Sequence, residues 1–151
     1  MPNIEYVIYV AATAEQVWAG LTEPELTRQY WDEEMKSDWT VGSPIEAFGT
    51  DGSAHWEGEI VEHRRPHVLE YATHEPGSTE RATNMRFELS ELDATEVSAP
   101  PVVKLTVRHE GFPAADAFYD GCRSTWPKLM SGLKSILEGG RSPGFVWQMP
   151  T

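Results

Sequence analysis

The sequence predicts an α+β fold in which an antiparallel sheet of about seven strands packs against one long C-terminal helix. Seven short stretches rich in β-branched and aromatic residues, separated by turn residues, indicate the strands. Two short helical patterns follow the first strand, and a long apolar stripe of helical period lies near the C-terminus. Together these three observations predict the fold class.

The first strand and two short helices are predicted from the N-terminal part of the chain. Residues 4–10 read IEYVIYV, and such side chains favour extended backbone. Thr13 and Gln16 have the spacing of a capping box, which predicts that a helix begins after Thr13. Thr22 and Glu25 repeat this spacing, with a proline between them that the first turn of a helix tolerates. A second short helix is therefore expected directly after the first.

Six further strands are predicted between residues 35 and 110. Gly- or Pro-containing turns separate the stretches 35–39, 44–49, 54–63, 67–74, 81–91 and 102–110. In the last stretch Val103, Leu105, Val107 and His109 share one face, and Met85, Phe87 and Leu89 alternate in the same way in the stretch before it. Such alternation predicts antiparallel strands with one buried and one solvated face.

A C-terminal helix is predicted over residues 116–138, although Pro127 lies inside it. Either Ser124 or Thr125 caps a shorter helix, or one long helix is kinked near Arg123. The apolar stripe continues upstream to Phe118, which favours the long helix. We expect one domain over residues 1–140 and a tail over 141–151, whose Phe145, Val146 and Trp147 dock on the domain or on a partner.

Composition excludes several classes of protein. The chain has 151 residues, a net charge of −12 and a single cysteine. An acidic surface repels phosphate backbones, so we expect no nucleic-acid partner. No apolar run is long enough to span a membrane, and no signal sequence is recognisable at the N-terminus, so we expect no membrane insertion and a cytoplasmic location.

The order of elements resembles the helix-grip fold of the SRPBCC or START-like superfamily, which includes lipid-transfer domains, plant pollen allergens and aromatic polyketide cyclases. Four segments resemble its bacterial branch named after the ATPase activator of the ninety-kilodalton heat-shock chaperone. These segments are AATAEQVWAGLTEPELTRQYW, SDWTVGSPI, GEIVEHRRPHVLEY and WPKLMSGLKSILEGG. The resemblance covers about residues 4–140 and implies a curved sheet wrapped around the C-terminal helix, with a cavity between them.

The implied cavity suggests a non-catalytic protein that binds a small hydrophobic or aromatic molecule. An empty apolar void of about 300 Å³ would cost on the order of 7 kcal/mol, so either side chains or a ligand must fill it. The predicted lining residues are Phe48, Trp56, Tyr71, Met85, Phe87, Val107, His109, Phe118, Trp126 and Met130. The inclusion of Trp56 depends on whether a bulge near Gly58 shifts the strand parity. Trp31 and Trp39, which flank an acidic segment, are either core anchors or gates of the cavity.

Two other functions stay open from the sequence. An enzyme of the cyclase, dehydratase or hydrolase type would use His109 as its acid or base. An interaction module would bind a heat-shock chaperone through its outer surface, as the family name suggests. The histidine spacing and the lone cysteine predict no metal site and no cofactor, whereas open sheet edges make a homodimer plausible.

Overall fold

One antiparallel sheet and three helices form the computed structural model of the chain, which describes residues 2–78 and 83–139. The strands are β1 (Ile4–Val10), β2 (Glu33–Ser37), β3 (Pro44–Gly49), β4 (Ala54–Arg64), β5 (Val68–His74), β6 (Thr83–Leu92) and β7 (Val102–Glu110). The helices are α1 (Ala14–Thr22), α2 (Pro24–Tyr30) and α3 (Ala117–Leu137). The curved open sheet and the long C-terminal helix confirm the predicted α+β helix-grip fold.

The strand order across the sheet is β1-β7-β6-β5-β4-β3-β2. Strands β2 to β7 are neighbours in sequence order, so hairpins connect them one after another. The segment containing α1 and α2 carries the chain from β1 at one edge to β2 at the other edge. The two short helices therefore lie across the open side of the sheet, next to α3.

The two predicted capping boxes differ in outcome. The box at Thr13 is confirmed, because its hydroxyl accepts from the Gln16 amide at 3.1 Å while the Gln16 side chain accepts from the Thr13 amide at 2.9 Å. The box at Thr22 is wrong. Thr22 is the last residue of α1, and its hydroxyl donates to the carbonyl of Trp18 at 2.9 Å. Glu23 occupies the capping position of α2 without a side-chain hydrogen bond.

α3 is one helix that continues through Pro127. Asp116 caps it by accepting from the amide of Tyr119 at 3.0 Å. The Thr125 hydroxyl donates to the carbonyl of Gly121 at 2.7 Å, so it bonds within the helix and does not cap a shorter one. The long-helix alternative is therefore the correct one.

The core lies between α3 and the concave face of the sheet. The predicted faces of β6 and β7 are confirmed, because the side chains assigned to the inner face of each strand are buried. Buried residues of α3 that pack against them are Cys122, Trp126, Leu129, Met130 and Leu133. The apolar stripe of α3 thus faces the sheet along most of its length.

Strand β4 is irregular on both sides of Gly58. Its pairing with β3 shifts by one residue between Ala47 and Phe48, and its pairing with β5 shifts between Ile60 and Glu62. A β-carbon at Gly58 would overlap the backbone carbonyl of Ala72 in β5, so the two strands approach more closely there than a side chain permits. These bulges change which β4 side chains reach the concave face.

The predicted tail over 141–151 lies outside the described residues. Within the residues that the structure describes, none of the helices combines the length and apolar content needed to cross a membrane.

Candidate functional site

The concave face of the sheet and the inner face of α3 enclose a cluster of aromatic rings. With the exception of Phe48, the residues predicted to line a cavity face this interior. Trp56 stacks on Tyr71 with ring centroids 5.3 Å apart and planes 13° apart. Tyr71 contacts Phe87 at 6.0 Å, and Phe87 contacts Trp126 at 5.8 Å. The sequence left open whether side chains or a ligand fill the interior, and in this structure side chains occupy it.

The prediction that Phe48 lines the cavity is wrong, because its side chain lies on the outer face of the sheet. Ala47 belongs to the buried core, so the next residue of β3 points to the outer face. There the ammonium of Lys36 lies 5.0 Å from the centre of the Phe48 ring. Phe48 therefore belongs to the outer surface.

A pocket of about 370 Å³ also lies outside the aromatic interior. Its lining is polar and charged and consists of Glu70, Thr83, Asn84, Arg86, Arg108, Glu110 and Gly111. Arg86 pairs with Glu62 at 2.7 Å and with Glu70 at 2.8 Å. This pocket does not correspond to the cavity that the resemblance implies.

His109 is fully buried, and both of its ring nitrogens have partners. Nδ1 accepts from the indole N–H of Trp126 at 3.0 Å, and an indole nitrogen can only donate. Nδ1 is therefore unprotonated, and Nε2 carries the proton that it donates to the hydroxyl of Thr83 at 2.8 Å. Burial lowers the pKa of His109 from 6.5 to about 3, which keeps the ring neutral. The geometry makes His109 a hydrogen-bonded link between β7 and α3, with no free nitrogen to act as a base.

A buried carboxylate lies at the other end of the interior. Glu33, the first residue of β2, is 2% exposed. One of its oxygens, Oε2, lies 2.7 Å from Nδ1 of His55, and the other, Oε1, accepts from the indole N–H of Trp56 at 3.3 Å. Burial raises the pKa of Glu33, and the hydrogen bond from His55 opposes that shift. We refer to these two residues as the Glu33–His55 pair.

The bulge in β4 explains how two consecutive residues reach one carboxylate. Successive side chains of a regular strand point to opposite faces, but the extra residue of a bulge lets His55 and Trp56 both turn toward Glu33. Gly49 pairs with Glu33 on the neighbouring strand, and a β-carbon there would lie 2.5 Å from Nε2 of His55. The glycine therefore leaves the space that the imidazole ring occupies.

Sequence reasoning missed the Glu33–His55 pair. The charge of Glu33 gives no sign of burial, and His55 lies next to a turn and is exposed, so neither residue stands out as part of a site. The available signal was alternation, because Glu33 lies two residues before the buried Met35 and shares its face.

Comparisons with known proteins identify the family. The sequence profile of the family described as "Activator of Hsp90 ATPase homolog 1-like protein" matches residues 11–138. The chain belongs to this family. A search of curated proteins finds no match.

Solved structures with the same fold share little sequence with this family member. The solution structure of the Aha1 dimer from Colwellia psychrerythraea is 19% identical, with a TM-score of 0.75 over 93% of this chain and 98% of that one. PFC0360w, an HSP90 activator from Plasmodium falciparum, is 18% identical, with a TM-score of 0.67 over 90% and 96% of the two chains. CalU16 from Micromonospora echinospora is also 18% identical, with a TM-score of 0.67 over 93% and 77%. At these identities the likeness establishes the fold alone.

The two tryptophans considered as gates of this Aha1-like domain lie in different surroundings. Trp31 is 2% exposed and meets the edge of Trp126 at a centroid distance of 5.5 Å, so it anchors the core. Trp39 lies in the connection between β2 and β3, is partly buried, and has a backbone φ of 57°. Its amide donates to the hydroxyl of Ser37 at 3.0 Å, which fixes this left-handed turn. Of these two tryptophans, Trp39 is the one that lies at the border between the core and the solvent.

Cys122 is buried, and this burial raises the pKa of its thiol to about 12. No group of three or more metal-binding side chains comes together within residues 2–78 and 83–139.

Proposed function

We propose that this chain binds a small aromatic or apolar molecule between the sheet and α3, at the end where Trp56 lies. The observation that carries the proposal is the stack of Trp56 on Tyr71, which places an aromatic platform at a partly exposed end of the interior. Pockets for small molecules are typically lined by apolar and aromatic side chains with a few polar groups, and Glu33 and His55 provide such groups here. Family membership supports the same reading, because helix-grip domains commonly enclose ligands in this position.

Binding requires one ring to move, since the interior is occupied by side chains. Trp56 is the ring that moves at the smallest cost, because it is partly exposed, whereas Tyr71, Phe87 and Trp126 are buried. An aromatic stack contributes about 0.5–1.5 kcal/mol beyond the area that it buries. A flat ligand that takes the place of Trp56 on Tyr71 recovers this contribution.

The experiment is native mass spectrometry of the protein with a panel of fatty acids, flavonoids and polyketide-like aromatics. We expect at least one class to bind more tightly than about 100 µM, equivalent to roughly −5.5 kcal/mol. Trp56→Ala should bind the same compound about 3- to 10-fold more tightly, because no stack has to be broken first. Val41→Ala, which shortens a side chain that is 65% exposed in the connection between β2 and β3, serves as the control and should match the wild type.

Two results would count against this proposal. If no compound of the panel binds more tightly than about 100 µM to either protein, the binding function is wrong. If the wild type and Trp56→Ala bind equally well, the ligand does not replace Trp56 and the position of the site is wrong.

A second candidate function is an interaction with a heat-shock chaperone of the ninety-kilodalton class. Its support is the match to the activator family together with the filled interior, which leaves the outer surface for contacts. The measurement is the ATPase rate of a bacterial chaperone of this class with and without the protein in excess. An unchanged rate, together with no co-purification, would eliminate this function.

We further propose a homodimer, as in the Colwellia structure described as a dimer. The edge strand β1 exposes Val7 and Tyr9, which are 38% and 49% exposed. Such an edge can pair with a second copy. Sedimentation of the wild type should give twice the mass of the monomer. The Tyr9→Lys variant should have a mass closer to that of the monomer. A wild type that sediments as a monomer would contradict the homodimer.

A further inference from the structure

The side chain that closes the proposed site also indicates what its ligand looks like. Trp56 presents a flat ring to Tyr71 and, at the edge of the same ring, an N–H to Glu33. We propose that the bound molecule is an aromatic compound carrying an O–H or N–H donor at its edge, and that Oε1 of Glu33 accepts this donor in place of Trp56. This inference rests on the proposed function and names the class of ligand for it.

The argument begins with what Glu33 loses when Trp56 moves. Oε1 accepts from Trp56 in a place where Glu33 is only 2% exposed. A buried acceptor left without a donor is costly, whereas one that exchanges a donor for another is not. A ligand without a donor therefore fills the space of the Trp56 ring but leaves Oε1 of Glu33 unpaired. A ligand with a donor restores both the stack on Tyr71 and the hydrogen bond to Glu33.

His55 holds the carboxylate in position during this exchange. It bonds the other oxygen, Oε2, at 2.7 Å, and that bond does not involve Trp56. The ring of His55 fits over Gly49, where a side chain would displace it. Oε1 thus keeps its direction toward the site when the indole leaves.

The charges around the site select against anionic ligands. Burial raises the pKa of Glu33, and repulsion from the carboxylate of the preceding residue, Asp32, adds to this rise. Asp51, in the turn between β3 and β4, interacts electrostatically with His55. Tyr71 from β5 is buried close to Glu33, and this burial raises the pKa of its hydroxyl well above the usual value. A neutral donor fits these surroundings, whereas a carboxylate on the ligand would meet like charge.

Indole and indene are the matched probes for this proposal, because the two bicyclic molecules have nearly the same shape and only indole carries an N–H. We would follow the indole N–H resonance of Trp56 by NMR while either probe is added. For the wild type we expect indole to bind about 10-fold more tightly than indene, in keeping with a hydrogen bond to a charged acceptor. The Trp56 resonance should shift as its bond to Glu33 is lost.

Variants of the Glu33–His55 pair separate recognition from folding. Glu33→Gln is close in shape and should reduce the preference for indole to less than about 3-fold, because indene binds more tightly once no charged oxygen is left without a donor. His55→Ala removes a side chain that is 32% exposed and should reduce the preference in the same way without unfolding the protein. His74→Ala, a substitution of a histidine on the neighbouring strand β5, is the matched control and should keep the wild-type preference.

Each outcome decides between the two proposals. Equal binding of indole and indene, with a shift of the Trp56 resonance, overturns the donor requirement and leaves the proposed function intact. A preference for indole that survives in both Glu33→Gln and His55→Ala assigns the donor to another acceptor and also overturns the inference. If neither probe shifts the Trp56 resonance, the site at Trp56 is wrong and this inference fails with it.

Discussion

His109 should make the stability of the protein depend on pH. In the folded protein its pKa is lowered to about 3 by burial, whereas the ordinary value is 6.5. As the pH falls below 6.5, the unfolded chain binds a proton at this position and the folded protein does not. Because the unfolded state then binds more protons, the free energy of unfolding decreases as the pH decreases. The contribution of His109 to the free energy of unfolding is fully present above pH 6.5, the pKa in the unfolded chain. It is lost progressively as the pH falls toward about 3, the pKa in the folded protein.

The size of the stability loss follows from the difference between the pKa values of His109 in the unfolded and folded states. Each pH unit between the two pKa values corresponds to about 1.4 kcal/mol. Lowering the pH from about 7 to about 5 should therefore remove about 2 kcal/mol, and crossing the whole window about 5 kcal/mol. For a single domain this is a substantial part of the total free energy of unfolding.

The assay compares the wild type with His109→Gln by urea unfolding at about pH 7 and about pH 5, with tryptophan fluorescence as the signal that reports unfolding. Glutamine does not titrate, but it retains a donor for Thr83. The variant should be less stable by about 1–3 kcal/mol near neutral pH, because the indole N–H of Trp126 loses its acceptor. The difference between the two proteins should then shrink by about 2 kcal/mol near pH 5.

The change of this difference with pH is the decisive quantity, because contributions from all other groups are common to both proteins. Val41→Ala, a substitution of an exposed residue that does not titrate, is the control and should keep the pH dependence of the wild type. A difference between the wild type and His109→Gln that is the same at both pH values would refute the reasoning, since His109 would then be equally protonated in the folded and unfolded states.

Three further predictions concern the frame around the site. Gly58→Ala should destabilise the protein by more than about 3 kcal/mol in urea unfolding, because a β-carbon overlaps the carbonyl of Ala72, whereas Glu59→Ala next to it should cost less than about 1 kcal/mol. Arg86→Met should cost about 1–2 kcal/mol at low ionic strength and less in high salt, because it leaves three carboxylates without their common partner; an equal cost in both salts would contradict this. Cys122 should react with a thiol reagent at least about 1,000-fold more slowly in the native protein than in denaturant, and comparable rates would show that the thiol is accessible.

The elements that the sequence predicted well are those in which a physical constraint repeats along the chain. Strand β7 has four buried residues on one face, Val103, Leu105, Val107 and His109, so one error cannot reverse its assignment. The capping box of α1 involves two residues that satisfy each other's backbone groups, and both hydrogen bonds are present. The second box failed because the first helix extends to Thr22 and uses its hydroxyl internally.

Two positions near β3 and β4 show where alternation is informative and where it is not. β3 alternates regularly with Ala47 buried, so its own parity assigns Phe48 to the outer face. In β4 the pairing with β3 shifts by one residue, and this bulge brings the exposed His55 to the carboxylate of Glu33. The sequence indicated that a bulge near Gly58 could shift the parity of β4, but it did not indicate which side chains the bulge brings together.

The two ends of the aromatic interior differ in their hydrogen bonding and exposure, and the sequence alone does not predict this difference. At the His109 end each polar atom of the link to Trp126 and Thr83 has a partner, and the side chains are buried. A ligand there would have to break two buried hydrogen bonds before it made any of its own. At the Glu33 end the single bond of Trp56 is long, at 3.3 Å, and the ring is partly exposed. Access for a small molecule is therefore expected at the Glu33 end, because that is where the interior can open with the loss of one weak hydrogen bond and one stack.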